Sequence, residues 1–282
     1  MPPFILFSLA AALLASLSGG VVGSYVIIKR LANLCGTITH SVLGGMGLFL
    51  WLQKSKGIEW CDPIFGAVLA SILSAWTIGW IHFRFRQRVD AILAAIWSTG
   101  MSIGIIFLAL TPGSSADLSN FLLGNILWIT PRDLIWLTLL SIAILTTVAC
   151  FYRPFLAVCF DEEQAELQKI PVKKIYLLLL TLIALTVVLL IQIIGTILTI
   201  AILTLPATTA NLFTTRLTSM MIGAVCFSAL VSSAGIAASY FLDWPPGATI
   251  SLCAAAVYLA SLFLKKKIFS STPRFHSSRL SD

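Results

Sequence analysis

Apolar residues run through this chain in blocks of close to 20, separated by short polar intervals, a spacing that matches the hydrocarbon thickness of a bilayer. The blocks fall at Phe4–Ile28, Leu34–Leu52, Pro63–Phe83, Val89–Leu110, Leu134–Phe151, Ile175–Ile191, Gly195–Leu212, Leu217–Leu242 and Ala248–Leu264. They predict roughly nine membrane-spanning helices, or about eight if the closely spaced sixth and seventh blocks form one. The expected fold class is all-α, a polytopic membrane helical bundle. Residues 1–264 form a single transmembrane domain containing a polar segment at 160–171, and residues 265–282 form a tail. The first block has no basic lead and continues past signal-peptide length, so it reads as a retained span.

Composition excludes a soluble reading. Hydrophobic residues make up 59% of the 282 and charged residues only 10%, and the mean hydropathy is +0.99. No soluble domain of this size hides so much apolar surface. The placement of charge then predicts orientation. With the N-terminus outside, fifteen of the eighteen Lys and Arg fall in inner loops or the tail, leaving Lys54, Lys56 and Arg132 outside. That bias predicts N-terminus out and C-terminus in. The net charge of +7 is then contact with anionic inner-leaflet lipid rather than nucleic-acid binding. The six cysteines include no C-x-x-C pair and suggest no disulfide framework.

Small residues at helical spacing (Gly19 with Gly23, Ala91 with Ala95, Gly100 with Gly104) suit close helix crossing in lipid. A turn-rich outer loop, Thr111–Asn120, leads into Phe121–Ile129, which is too short to span and predicts an interfacial or re-entrant helix. On the inner side, Asp161 reads as the N-cap of a short polar helix, Glu162 and Glu163 complement its dipole, and Pro171 stops it. Ala165 offers a spot for close docking there; pattern alone is equally served by a solvated linker helix. Gly195 and Pro206 interrupt the apolar run from Ile191 to Ala210, which also carries Gln192, Thr196, Thr199 and Thr204. Such breaks are tolerated where protein or a cavity satisfies the backbone.

The candidate chemistry centres on His40. It sits inside the second block, flanked by Thr37, Thr39 and Ser41, with Gly36, Gly44, Gly45 and Gly47 close by. A titratable imidazole at membrane depth is costly unless it meets a cavity, a partner or a ligand. His82, at the inner end of the third block, reads as interfacial, and His276 lies in the Ser-rich tail.

Six segments, in order, resemble the permease subunits of bacterial ABC importers for zinc, manganese and iron. They are Gly36–Gly45 with its His-Ser pair, Asp90–Ser98, Leu122–Trp128, Tyr152-Arg-Pro leading to Phe160–Ala165, Gln192–Ala210, and Ser239–Thr249. The resemblance implies a bacterial plasma-membrane protein that is not itself an enzyme and holds no permanent cofactor, its cargo being a divalent metal ion. It implies a second permease copy or paralogue, an extracytoplasmic metal-binding protein, and ABC ATPase subunits docking near Asp161, Glu162 and Ala165. The chain has no G-x-x-x-x-G-K-[ST] loop, so ATP hydrolysis is expected of a partner. His40, Thr37 and Thr39 are expected to line the metal path.

Two positions depart from the family pattern. The aspartate expected three residues before the histidine is Thr37, with Thr39 in place of a serine, and the glycine expected four residues after Ala165 is Lys169. An imidazole with neutral hydroxyls is a weaker site for Mn²⁺ and remains tolerable for Zn²⁺ or Fe²⁺; alternatively a paralogous partner supplies the carboxylate. Two other readings compete with this one. An ion-coupled secondary transporter usually carries intramembrane acids, whereas all eleven acids here fall in loops, tails or near block ends. A cobalamin or siderophore-type ABC permease is typically longer.

Overall fold

The computed structural model of the chain describes residues 3–58, 60–85, 89–112 and 129–270. The helix expected over Phe121–Ile129, the loop before it and the tail around His276 lie outside the described residues, apart from their edges. Ten helices follow in order: α1 (Pro3–Ile28), α2 (Ala32–Lys56), α3 (Pro63–Phe85), α4 (Val89–Ala109), α5 (Pro131–Cys150), α6 (Tyr152–Phe160), α7 (Glu162–Leu167), α8 (Val172–Phe213), α9 (Leu217–Leu242) and α10 (Pro246–Ser270). No strand occurs among the described residues.

Nine segments among them are long and apolar enough to cross a membrane, α8 supplying two, Val172–Gln192 and Ile194–Phe213. Gly195 separates these halves, with φ 77° and ψ 173°, a backbone conformation essentially reserved for glycine. The bend is sharp. A Cβ placed on Gly19 of α1 meets Leu190 at 3.7 Å and Ile202 at 3.6 Å, one residue from each half. In a straight helix these residues would be about 18 Å apart along the axis, too far for both to touch one point. The sixth and seventh blocks are therefore separate helical segments rather than one continuous rod.

The end signals are local. Thr130 caps α5 through a reciprocal capping box with Asp133. Gly57 closes α2 in the left-handed conformation, its N–H donating to the Leu52 carbonyl. The α5 helix begins at Pro131, ahead of its apolar block, and α10 continues to Ser270, so the boundary drawn at residue 265 falls inside a helix.

Burial locates the axis of the bundle. The first half of α8 is 72% buried and α4 only 17%. The α8 helix packs against α1, α2, α3, α9 and α10, while α2 is held between α3 and α4. The α2–α4 crossing depends on glycine, since a Cβ on Gly44 would stand 2.7 Å from the Gly100 carbonyl oxygen and one on Gly47 2.7 Å from that of Gly104. Backbones approach this closely in lipid only where side chains are absent. Ala91 and Ala95 behave differently: both are exposed and make no such crossing.

Candidate functional site: an intramembrane histidine and an inner polar mouth

His40 lies half-buried on α2. Its ring stacks on the Trp97 indole of α4, with centroids 4.4 Å apart and planes within 5°. Stacking covers a ring face and leaves the one in-plane lone pair of the neutral imidazole, on its unprotonated nitrogen, free to bind. Among the described residues neither imidazole nitrogen has a hydrogen-bond partner in the protein, and no group of three His, Cys, Asp or Glu residues that could hold a metal ion occurs. Beside the stack, Trp97, Ser98, Met101 and Ser102 line a shallow groove of about 420 Å³ on the outward face of α4.

The threonines divide. At 3.6 residues per turn, Thr37 lies about 60° around α2 from His40, and Thr39 about 100° away in the other direction. Thr37 is buried at the α4 side, donating to the Asn33 carbonyl at 3.0 Å and the Leu93 carbonyl at 3.4 Å. Thr39 is fully buried and donates to its own helix at the Cys35 carbonyl, 2.8 Å away. The structure thus brings Thr37, and not Thr39, onto the His40 side. Ser41 accepts from Ser74 at 2.8 Å, fastening α2 to α3.

One turn inward from Thr37, Asn33 reaches a cavity of about 300 Å³ whose walls also include Asp90, His82 and Glu162. Asn33, Thr37 and His40 occupy positions i, i+4 and i+7, one face of a helix. That spacing was readable in the sequence and points to Asn33; the Trp97 stack, a contact between separate helices, had no local signal.

At the inner end, Asp161 caps α7 as its type predicts, its Oδ1 accepting from the Glu163 and Gln164 N–H groups at 3.0 Å each. Glu162 points into the protein: its Oε1 accepts from Lys29 Nζ at 2.5 Å, and its Oε2 lies 3.9 Å from His82 Nε2. Ala165 is 1% exposed and packs within the chain's own core, so the outward surface of α7 belongs to Glu163, Glu166 and Leu167, the last 84% exposed. Lys169 has φ 61° and the next N–H, of Ile170, donates back to the Ala165 carbonyl at 3.1 Å. This is the left-handed helix stop that usually takes glycine, so lysine holds a glycine-type conformation at the position where the family pattern has glycine. Nearby, burial pushes the Cys159 thiol up to about 11, with Lys29 opposing the shift and Glu162 adding to it.

Known proteins resemble this chain over most of its length. The profile of the ABC 3 transport family matches residues 1–265. A Chlamydia pneumoniae protein named a probable metal transport system membrane protein is 43% identical over 93% of this chain and 89% of its own length. The manganese transport system membrane protein MntC of Halalkalibacterium halodurans is 32% identical, covering 92% and 87%. The high-affinity zinc uptake system membrane protein ZnuB of Haemophilus influenzae is 28% identical, covering 94% and 99%. The solved structure of PsaBC from Streptococcus pneumoniae in complex with Fab superposes with a TM-score of 0.83 at 30% identity, covering 95% of each chain.

Proposed function

We infer, because this chain belongs to the ABC 3 transport family, that it forms the membrane pathway of an ATP-driven importer of divalent transition metal ions. It is a multi-pass membrane protein and a transport subunit; hydrolysis of ATP is assigned to a partner that meets α7, and delivery of the ion to an extracytoplasmic binding protein. The basic residues at Lys29, Arg30, Arg153, Lys173 and Lys174 support an inner location for the α7 end, with the N-terminus outside.

The observation that carries the reading is His40 itself, half-exposed at membrane depth with free ring nitrogens beside a groove. Ser98 and Ser102 on that outward face suit a second permease copy or paralogue rather than lipid, because hydroxyls in hydrocarbon seek partners. The ion passes His40 and Thr37 and leaves past Asn33 toward the inner cavity. A single imidazole with hydroxyls binds weakly, which suits passage, since a closed site would trap its cargo. The donor set favours Zn²⁺ or Fe²⁺ over Mn²⁺ unless the partner copy adds a carboxylate.

The test is metal accumulation in cells whose only copy is His40→Ala, with zinc, iron and manganese measured separately. Loss of one imidazole ligand is expected to lower uptake at least about tenfold, the effect of roughly 1.4 kcal/mol. Uptake at the wild-type level would take His40 off the path.

A further inference from the structure

Four side chains from four separate elements meet at the inner end of the bundle. Lys29 stands in the turn joining α1 to α2, His82 near the end of α3, Glu162 at the start of α7, and Tyr176 in the first turns of α8. Lys29 and Glu162 pair at 2.5 Å with side chains 14% and 31% exposed. His82 approaches the second Glu162 oxygen at 3.9 Å and stacks on Tyr176, centroids 4.9 Å apart. Lys29 Nζ also lies 5.8 Å from the Tyr176 ring centre.

The rest of α7 is tied mainly to its sequence neighbours, α6 and α8. The Glu162 carboxylate reaches instead to the opposite end of the chain order, 133 residues away. Its partner sits in a stiff turn: the Lys29 N–H donates to the Tyr25 carbonyl, the Leu31 N–H donates to the Val26 carbonyl at 2.8 Å, and Arg30 is left-handed between them. The α2 helix starts at Ala32 without a further linker and carries His40 in a continuous run to Lys56. From Ala32, where α2 begins, to His40 the axial distance is about 12 Å at the rise of an α-helix.

Partial burial strengthens the attraction between Lys29 and Glu162 relative to a surface pair, and separating them leaves each charge poorly solvated. A displacement of α7 therefore carries the α1–α2 turn with it, and a rigid α2 passes the movement to His40. We propose that the Lys29–Glu162 pair, braced by His82, is the mechanical link through which α7 repositions His40 during the transport cycle. Both are positioning residues. The inference rests on the reading that α7 meets the ATPase.

The experiment uses the full complex of permease, ATPase and extracytoplasmic binding protein in lipid vesicles, with Zn²⁺, Fe²⁺ and Mn²⁺ as cargo. The quantity read is ions imported per ATP hydrolysed, a ratio that loss of folded protein leaves unchanged. Lys29→Met and Glu162→Gln are each expected to lower it by about fivefold or more, the lower end of usual coupling between sites. Because both remove the same link, the double variant is expected to match either single; independent effects would multiply. Lys29→Arg, which keeps the ion pair, is expected to hold most of the ratio. A wild-type ratio in Lys29→Met, a multiplicative double variant, or a Lys29→Arg ratio as low as that of Lys29→Met would each overturn the link. A wild-type complex that hydrolyses ATP while importing none of the three ions would instead overturn the functional reading, and the link with it.

Discussion

Replacing Gly100 by alanine should loosen the α2–α4 crossing and disturb the histidine that the crossing presents. A Cβ at Gly100 would stand 2.6 Å from the Ser41 Cα and 2.9 Å from the Ser41 Cβ. Carbon atoms settle at about 3.5–4.0 Å, so the two helices must part by about 1 Å. No rotamer change relieves the clash, because the obstructing atoms are backbone or directly attached to it. Overpacking of this kind costs about 1–3 kcal/mol. Gly79→Ala provides the internal control. Its Cβ would meet the Leu177 Cδ2 at 2.6 Å and the Leu180 Cδ1 at 3.0 Å, both ends of flexible side chains. Turning them aside costs no more than about 1 kcal/mol. Thermal unfolding of the purified protein in detergent, followed by tryptophan fluorescence, should show Gly100→Ala melting lower by roughly 2–8 °C, with Gly79→Ala near wild type. Metal uptake should fall with Gly100→Ala beyond any loss of protein, since Trp97 sits one turn from the inserted methyl and holds the His40 ring. Equal melting of the two variants, or a larger loss in Gly79→Ala, would refute the argument that backbone contact sets this crossing.

Two further outcomes follow from the backbone and from burial. Gly195→Ala forces a side chain into a conformation with φ 77° and ψ 173° and should destabilise the protein by about 1–3 kcal/mol; an unchanged unfolding temperature would show that the bend does not depend on that geometry. Cys159, 7% exposed with its thiol pushed up to about 11, should resist maleimide at pH 8 in a variant keeping only that cysteine, and label once the protein is unfolded. Because the folded value lies above the ordinary thiol range near 8.5, the fold favours the protonated form. The stability it contributes should persist below about pH 8.5 and disappear as pH rises through 11; rapid labelling of the folded protein at pH 8 would contradict this burial.

Span positions and several ends were legible because they depend on local facts: apolar length, Asp161 as a cap, and Gly195 as a break. The short gap between Ile191 and Gly195 fits one helix or two, and only the shared contact of Leu190 and Ile202 with Gly19 separates them. The face of α2 was half legible. Helical spacing separates Thr39 from His40 and adds Asn33, whereas proximity along the chain groups both threonines with the histidine. Glu162 was placed by its charge at the start of α7, and its inward turn toward Lys29 was hidden because a pairing across 133 residues leaves no periodic trace. Trp97 looked like one more aromatic in an apolar block, since ring stacking between helices depends on their crossing rather than on either sequence.

The reversal at Gly195 also sets a direction. Read straight through, α8 would run one way from Val172 to Phe213. Folded back, it supplies two of the nine segments among the described residues that are long and apolar enough to cross a membrane. One glycine with an unusual torsion thus decides the sense in which the chain enters α9 and α10.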